Sequence, residues 1–457
     1  MLFSSLLFIF IFFPIFLLLY YIVPFKFKNY ILLIFSLIFY AWGEPKYILL
    51  LLFVTLLNYV SGLIINKNSD KKIKKFTMII CVILNILLLG FFKYTNFIID
   101  NLNQLGMHFN ILNIALPLGI SFYIFQTMSY TIDLYREKIK VEKNFFTFLT
   151  YVSMFPQLVA GPIVRYEDVA KELKSRKIDF ESFSDGVFIF LTGLFFKVLI
   201  ANNVGYLHSI IVNDIGSASL LTAWLGIVAY TLQIYFDFNG YSTMAIGMGR
   251  MLGFNYPKNF NYPYIATSIT DFWRRWHITL SSWFRDYVYI PLGGNRVKKV
   301  RFLINLLIVW MLTGLWHGAA WNFIIWGLYF GVLLIIEKLF MGKILEKIPK
   351  VFRHIYALFF ILIGWLIFFS DDMSLLGTYI TKIFANSKVL DTNFIFYIKN
   401  YMIFLVSGII LSTPILEKLK GKKIINILTV FIYIFLFILC VCQLSGDSYN
   451  PFLYFRF

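Results

Sequence analysis

The stretch Leu2–Val23 reads LFSSLLFIFIFFPIFLLLYYIV and contains no charged residue. About 20 consecutive apolar residues are enough for a helix to cross the ~30 Å hydrocarbon core of a bilayer. No basic segment precedes this run and no small-residue cleavage site follows it. The expectation is therefore an uncleaved first span rather than a signal peptide. The rest of the chain has the same character. Of 457 residues, 60% are hydrophobic and 14% are charged, with a mean hydropathy of +0.77. A soluble domain has about 25% charged residues, so this chain could not cover itself with a water-compatible surface.

Further apolar runs follow at 29–43, 46–66, 76–98, 111–133, 184–204, 218–236, 302–316, 319–337, 353–370, 397–416 and 424–443. The fold class expected is all-α, a polytopic membrane protein of about 11–12 transmembrane helices. No linker or composition shift splits off a soluble domain. Residues 1–457 read as one integral-membrane domain, with N-terminal helices in 1–143, a catalytic core in 144–340 and C-terminal helices in 341–457.

The net charge of +18 would point to nucleic acid in a soluble protein. Here the lysines and arginines gather in short loops: Lys67–Lys75, Arg136–Lys143, Lys171–Lys177, Arg296–Arg301, Lys338–Lys350 and Lys418–Lys423. Loops around Glu44, Asp100–Asn110 and Leu207–Ser217 carry almost none. If basic loops are cytoplasmic, the alternation places both termini outside, and no nucleic-acid partner is expected. The three cysteines, Cys81, Cys440 and Cys442, fall in apolar runs and read as packing residues, so no metal site is expected.

Two stretches do not read as simple spans. Residues 144–164 are apolar but hold Pro156, Gly161 and Pro162, and residues 237–300 mix aromatics, prolines and charge. Both read as re-entrant or interfacial segments, which at membrane depth must be surrounded by protein or water. Within the second, Ser268–Tyr289 reads as one amphipathic helix. Ser268 and Asp271 form a capping box at its start. Ile269, Trp273, Trp276, Leu280, Trp283 and Tyr287 make an apolar stripe, and Arg274, His277, Ser281 and Arg285 a polar one. Such a helix either lies at the headgroup level, with its arginines on lipid phosphates, or lines an entrance that binds an anionic ligand. The run Pro291-Leu-Gly-Gly-Asn-Arg296 is either a phosphate site or a surface turn.

Asp237 and Asn239 end an apolar run and need a partner or water. Asp237 either orients a histidine or arginine or caps the segment that follows. His317, within Thr313-Gly-Leu-Trp-His-Gly-Ala-Ala-Trp321, lies in an apolar stretch where an ionisable side chain is a functional candidate. Gly314 and Gly318 would let another helix approach closely there. The imidazole is either a packed, satisfied group or a base that takes a proton from a hydroxyl and returns it to a leaving thiolate. His108, His208 and His354 are expected in solvated or interfacial positions.

These stretches resemble the membrane-bound O-acyltransferase family, in particular its alginate O-acetyltransferase branch. The resemblance begins in Met1–Ser5 and Phe39–Trp42 and continues through Leu116–Tyr123 and Phe155–Pro162. It is strongest in Phe236–Ser242, Asp271–His277 and Trp316–Gly318. It implies a ring of tilted helices around a central catalytic tunnel, with His317 as the catalytic histidine and His277 as the second motif histidine. From their place on the polar stripe beside His277, Arg274 and Arg285 are expected to help bind the donor, with Arg275 adding charge nearby, and Asp237, Asn239 and Trp316 to support the site. Acetyl-CoA would be the acyl donor, with no permanently bound cofactor. The acetyl group would cross a bacterial cytoplasmic (inner) membrane to an alginate-, cellulose- or peptidoglycan-like polymer. An extracytoplasmic SGNH-hydrolase-like acetyltransferase and the polysaccharide synthase machinery would be its partners, beside membrane lipids. The alternatives are D-alanyl transfer to teichoic acid, by a sister branch sharing the Phe272–His277 pattern, and a transporter or scaffold without chemistry. A transporter often carries repeated halves with matching broken helices, and neither is visible here.

Overall fold

The structure is a computed structural model describing residues 1–112, 114–159, 161–385, 388–415, 423–446 and 449–453. Residues 418–422 of the last basic cluster, and Ala160 of the Phe155–Pro162 motif, lie outside the described residues. All regular elements among the described residues are helices. Ten of them are long and apolar enough to cross a membrane, and a shorter apolar helix covers Phe8–Ile22. Their outer faces carry large apolar side chains that water would not tolerate: Leu49 and Ile403 are each 70% exposed.

The chain forms two compact units, one of residues 1–190 with 242–257, the other of 191–241 with 258–457. In the first, three apolar helices matter below: α1 (Ile48–Lys67), α2 (Lys71–Gln104) and α3 (Ile120–Tyr135). A short amphipathic helix, α4 (Tyr166–Lys174), follows. Asp70 starts α2 by accepting from the Lys72 amide at 2.8 Å, the usual way of satisfying an orphan N–H at a helix start. The apolar run drawn from 111 becomes helical only at Ile120. Gly119 precedes it at φ +71°, where an added Cβ would lie 2.7 Å from the Leu158 carbonyl oxygen. Only glycine fits that turn.

Residues 144–164 do not span. They form two short helices, Phe145–Ser153 and Phe155–Leu158, and the residues from Phe148 to Leu158 are buried. Phe155 is the hub: the rings of Phe12, Phe16 and Phe39 stand 5.6, 5.1 and 5.6 Å from it. Non-helical backbone here is covered by protein, as membrane depth demands.

The elements that build the candidate site come from α5 (Leu220–Met251) onward. They are α6 (Ile269–Arg275), α7 (Ile278–Phe284), α8 (Lys299–His317), α9 (Trp321–Ile336) and α10 (Lys350–Phe369). Two expectations are corrected. First, the span ending near residue 236 runs on as α5 to Met251, so Asp237 and Asn239 are mid-helix and Asp237 caps nothing. The helix need not stop at Asp237, because a buried lysine partners its carboxylate, as described below. Second, Ser268–Tyr289 is not one helix. It breaks at Trp276–His277, with His277 at φ +43°, then resumes as α7 and a π-turn over Arg285–Tyr289.

Candidate active site

Side-chain spacing alone would have carried the helix through His277. Tertiary contacts from Asn259 override it. The Ile278 amide donates to the Asn259 carbonyl oxygen at 2.9 Å. The Thr279 hydroxyl donates to Asn259 Oδ1 at 2.9 Å, and His277 Nδ1 lies 3.0 Å from the same oxygen. With Asn259 oriented this way, Oδ1 only accepts. His277 Nδ1 therefore carries the proton, and Nε2 holds the lone pair. A histidine in the left-handed region costs on the order of 1–2 kcal/mol. The Asn259 clamp holds it there, and such strain tends to concentrate at functional positions.

Ser268 does start α6, accepting from the Asp271 amide at 2.9 Å, but the Asp271 carboxylate turns to the Thr267 amide instead of closing the reciprocal box. Much of the anchoring of α6 comes from Glu337, a residue the sequence reading passed over. This buried carboxylate accepts from the amides of Ile269 and Thr270 at 2.6 and 2.8 Å, and from the Thr270 hydroxyl at 2.6 Å. A negative charge at a helix N-terminus is favourable, and here it fixes the start of the segment carrying Arg274 and His277.

The four residues of the polar stripe come together despite the break. Arg274, His277, Ser281 and Arg285 line one cavity of about 240 Å³, closed on its far side by Val309, Trp310 and Thr313 of α8. Arg274 and Arg285 are exposed, whereas His277 is buried. Most of the remaining wall is apolar, so the cavity joins two charged groups at its mouth to an apolar interior. Thr313 and His317 are four residues apart on α8, on one helix face and separated by about 6 Å of rise.

His317 is the last residue of α8 and is 3% exposed. Three rings box it edge-to-face: Trp316, Trp326 and Phe368, with centroids at 5.0, 5.0 and 5.4 Å. Trp316 also stands 5.8 Å from His277, so one indole touches both histidines. The close approach that Gly314 foretold is made by α9. A Cβ on Gly314 would lie 2.2 Å from the Phe323 carbonyl oxygen, so the α8–α9 hairpin closes at the turn that bears His317.

Among the described residues, Asp237 meets neither histidine nor arginine. It forms an ion pair with Lys197 at 2.5 Å, with side chains 2% and 1% exposed. Lys197 also donates to Asn202 Oδ1 at 2.9 Å and to the Pro451 carbonyl, and Asp237 Oδ2 accepts from the Leu453 amide at 3.0 Å. Asn239 lies beside Asp237 on α5, away from the cavity lining. Arg275 is held by Asp271 at 2.8 Å and by the Asn261 carbonyl at 3.3 Å. It braces the segment rather than facing a ligand. In the glycine turn, the amides of Gly293 and Gly294 donate to the carbonyls of Ile290 and Tyr289, both at 2.9 Å. Those amides are used within the turn, which favours the surface-turn reading over a phosphate cradle.

His208, expected in a solvated loop, is instead buried in the helix Asn202–Asn213. Its Nδ1 lies 3.0 Å from the Gly226 carbonyl, and its ring packs on Tyr230 and Phe369 at 4.8 and 4.6 Å. His108 is exposed. His354 is half-buried, with Nδ1 3.0 Å from the Ala266 carbonyl.

Burial pushes the His277 imidazole down to about 3 from the usual value near 6.5. The folded state keeps it neutral, while an unfolded chain protonates it first. Stability contributed by this histidine is therefore present above about pH 6.5 and is lost as pH falls below it, by at most about 1.4 kcal/mol per pH unit. Thermal unfolding in detergent between pH 7 and 5 should show a slope that shrinks in His277→Gln. An identical slope in wild type and variant would mean that His277 does not carry this titration.

An apolar cavity with arginines at its mouth, one helical turn from a histidine boxed in aromatics, suits acyl transfer from a charged donor. Comparison with known proteins defines the class. The family model for MBOAT, the membrane-bound O-acyltransferase family, matches residues 134–380. The chain is 36% identical to a probable alginate O-acetylase AlgI of Azotobacter vinelandii, over 100% of both chains. It is 38% identical to a peptidoglycan O-acetyltransferase of Helicobacter pylori, over 82% of this chain and 78% of that one. With a teichoic acid D-alanyltransferase of Bacillus subtilis it shares 30% identity, over 50% of this chain and 60% of that one. The chain belongs to the membrane-bound O-acyltransferase family. It is a multi-pass membrane acyltransferase.

Proposed function

We propose that the protein passes acetyl groups from acetyl-CoA, bound on the side of the basic loops, across a bacterial cytoplasmic membrane for O-acetylation of a cell-surface polysaccharide. The observation that carries this reading is the cavity shared by Arg274, His277, Ser281 and Arg285, which reaches Thr313, one helical turn before His317 on α8, while His317 itself lies outside the lining. The arginines meet the phosphates of the donor, because guanidinium–phosphate hydrogen bonds are charge-assisted and directional. The apolar interior takes the thioester end and excludes water. His317 takes the proton of the attacking hydroxyl as its oxygen bonds to the acyl carbon. The carbon–sulfur bond breaks, and the proton passes to the departing thiolate. His277 lies along the donor path and supports donor binding or proton movement. An extracytoplasmic SGNH-hydrolase-like protein then completes transfer to the polymer.

The AlgI and peptidoglycan acetyltransferase relatives, aligned over most of this chain, favour acetyl over D-alanyl transfer. The test is a pair of charge-neutral variants, Arg274→Gln and Arg285→Gln, assayed with purified protein and acetyl-CoA. A lost charge-assisted bond is worth about 1.5–3 kcal/mol. Each change should raise the apparent KM for acetyl-CoA by about 10- to 100-fold with kcat largely kept. The Arg274 effect should be the larger, because Arg285 is already paired with Asp286 at 2.7 Å. An unchanged KM in both would remove the arginines from donor binding.

A further inference from the structure

We propose that a second cavity, in the unit containing α1 to α4, binds a phosphate group presented by an anionic phospholipid headgroup. The cavity has a volume of about 530 Å³ and is lined by Lys74, Lys140, Lys143, Lys174, Glu137 and Glu142 among others. None of these residues belongs to the candidate active site.

Position and charge carry the argument. Helix α1 ends at Lys67 and α2 begins at Lys71, and both are apolar enough to span the membrane. Ile65 and Asn66 of α1 and Lys74 of α2 all line the cavity. It therefore opens where two spans turn round at a basic loop, the level of lipid headgroups. Ile64, Ile73 and Phe76 beside it are 39%, 43% and 65% exposed. They provide an apolar surface for acyl chains just below the lysines.

The six ionisable lining residues do not cancel. Lys74 pairs with Glu137 at 3.2 Å, and Lys174 lies 3.7 Å from Glu142. Glu142 is buried and turned inward, accepting from the Tyr166 hydroxyl at 2.8 Å and the Asn144 amide at 2.9 Å. Lys140 and Lys143 have no carboxylate among the described residues within ion-pair distance, and both are exposed at the rim. Four lysines against two glutamates leave two positive charges facing a cavity of headgroup size. Basic pockets between transmembrane helices on the cytoplasmic side are suited to anionic headgroups.

The experiment uses the full chain in nanodiscs of phosphatidylcholine with increasing phosphatidylglycerol, and compares wild type with Lys140→Gln/Lys143→Gln. Lys75→Gln, exposed on α2 and outside the lining, is the control for general charge loss. The readout is phosphatidylglycerol retained per protein after exchange into phosphatidylcholine, together with the unfolding temperature. Wild type should retain phosphatidylglycerol and be stabilised by it. The double variant should bind it about 30-fold more weakly, since each lysine near an anionic surface is worth about 1 kcal/mol. The control should match wild type. Equal retention by all three proteins would overturn the proposal. So would stabilisation by inorganic phosphate alone with no lipid preference, because the ligand would then be a soluble anion.

Discussion

Replacing His317 with alanine should abolish ester-linked acetate on the cell-surface polymer while the protein stays in the membrane at the wild-type level. Removing a general base typically costs about 10²- to 10⁴-fold in rate, which takes polymer acetylation below detection. Alanine also empties the space inside the Trp316, Trp326 and Phe368 box, so a second variant, His317→Gln, keeps most of the volume and removes only the basicity. Both should be inactive, and the glutamine variant should unfold near the wild-type temperature. Acetate released by mild base at the wild-type level would defeat the catalytic role and leave a scaffold. Released D-alanine that disappears in the variant would move the chain to the teichoic acid branch.

The second large effect is on stability. Lys197→Met should destabilise the protein by about 3–5 kcal/mol, because it strands the Asp237 carboxylate where its side chain is only 2% exposed. A buried charge without its partner is among the costliest defects a core can carry. The double change Lys197→Met/Asp237→Leu should recover much of the loss, since apolar replacements for a buried ion pair are often neutral or better. Unfolding in detergent, followed by tryptophan fluorescence, measures both. A double variant as unstable as the single would show that Lys197 matters through its bonds to Asn202 and Pro451, not through Asp237. A double variant that is stable but inactive would give the pair a part in transfer as well.

Much of the architecture was readable in the chain. Apolar runs placed many of the long helices to within a few residues, because a span is defined by hydrophobicity over about 20 positions and little else, but the run from 111 becomes helical only at Ile120 and the one ending at 236 continues to Met251. The motif stretches also placed Arg274, His277, Ser281 and Arg285 on one face, and the structure puts all four around one cavity. What escaped notice depends on partners distant in sequence. Lys197 sits in the run Phe195-Phe196-Lys197-Val198, where nothing local shows that Asp237 will neutralise it. Glu337 stands next to the basic loop Lys338–Lys350, and its role as an anchor for α6 appears only once α9 folds back. The break at His277 is invisible to periodicity, since the apolar and polar stripes keep helical spacing on both sides of it. Asn259, eighteen positions earlier, decides the matter. His208 shows the reverse error: a histidine near a polar loop was read as solvated, although the carbonyl of Gly226 and two aromatic rings enclose it.

The Leu453 amide bond to Asp237 spans 216 positions of the chain. At a synthesis rate of about 5–20 residues per second, roughly 10–40 s separate the making of Asp237 from the making of its last partner. Throughout that interval one carboxylate oxygen already inside the membrane protein has no Leu453 amide, and Lys197 lacks the Pro451 carbonyl. Until residues 451 and 453 are made, the buried ion pair therefore lacks two of its hydrogen bonds. A chain stalled before Pro451 would carry the Lys197–Asp237 pair without these two bonds, so the pair is held by segments made far apart in time.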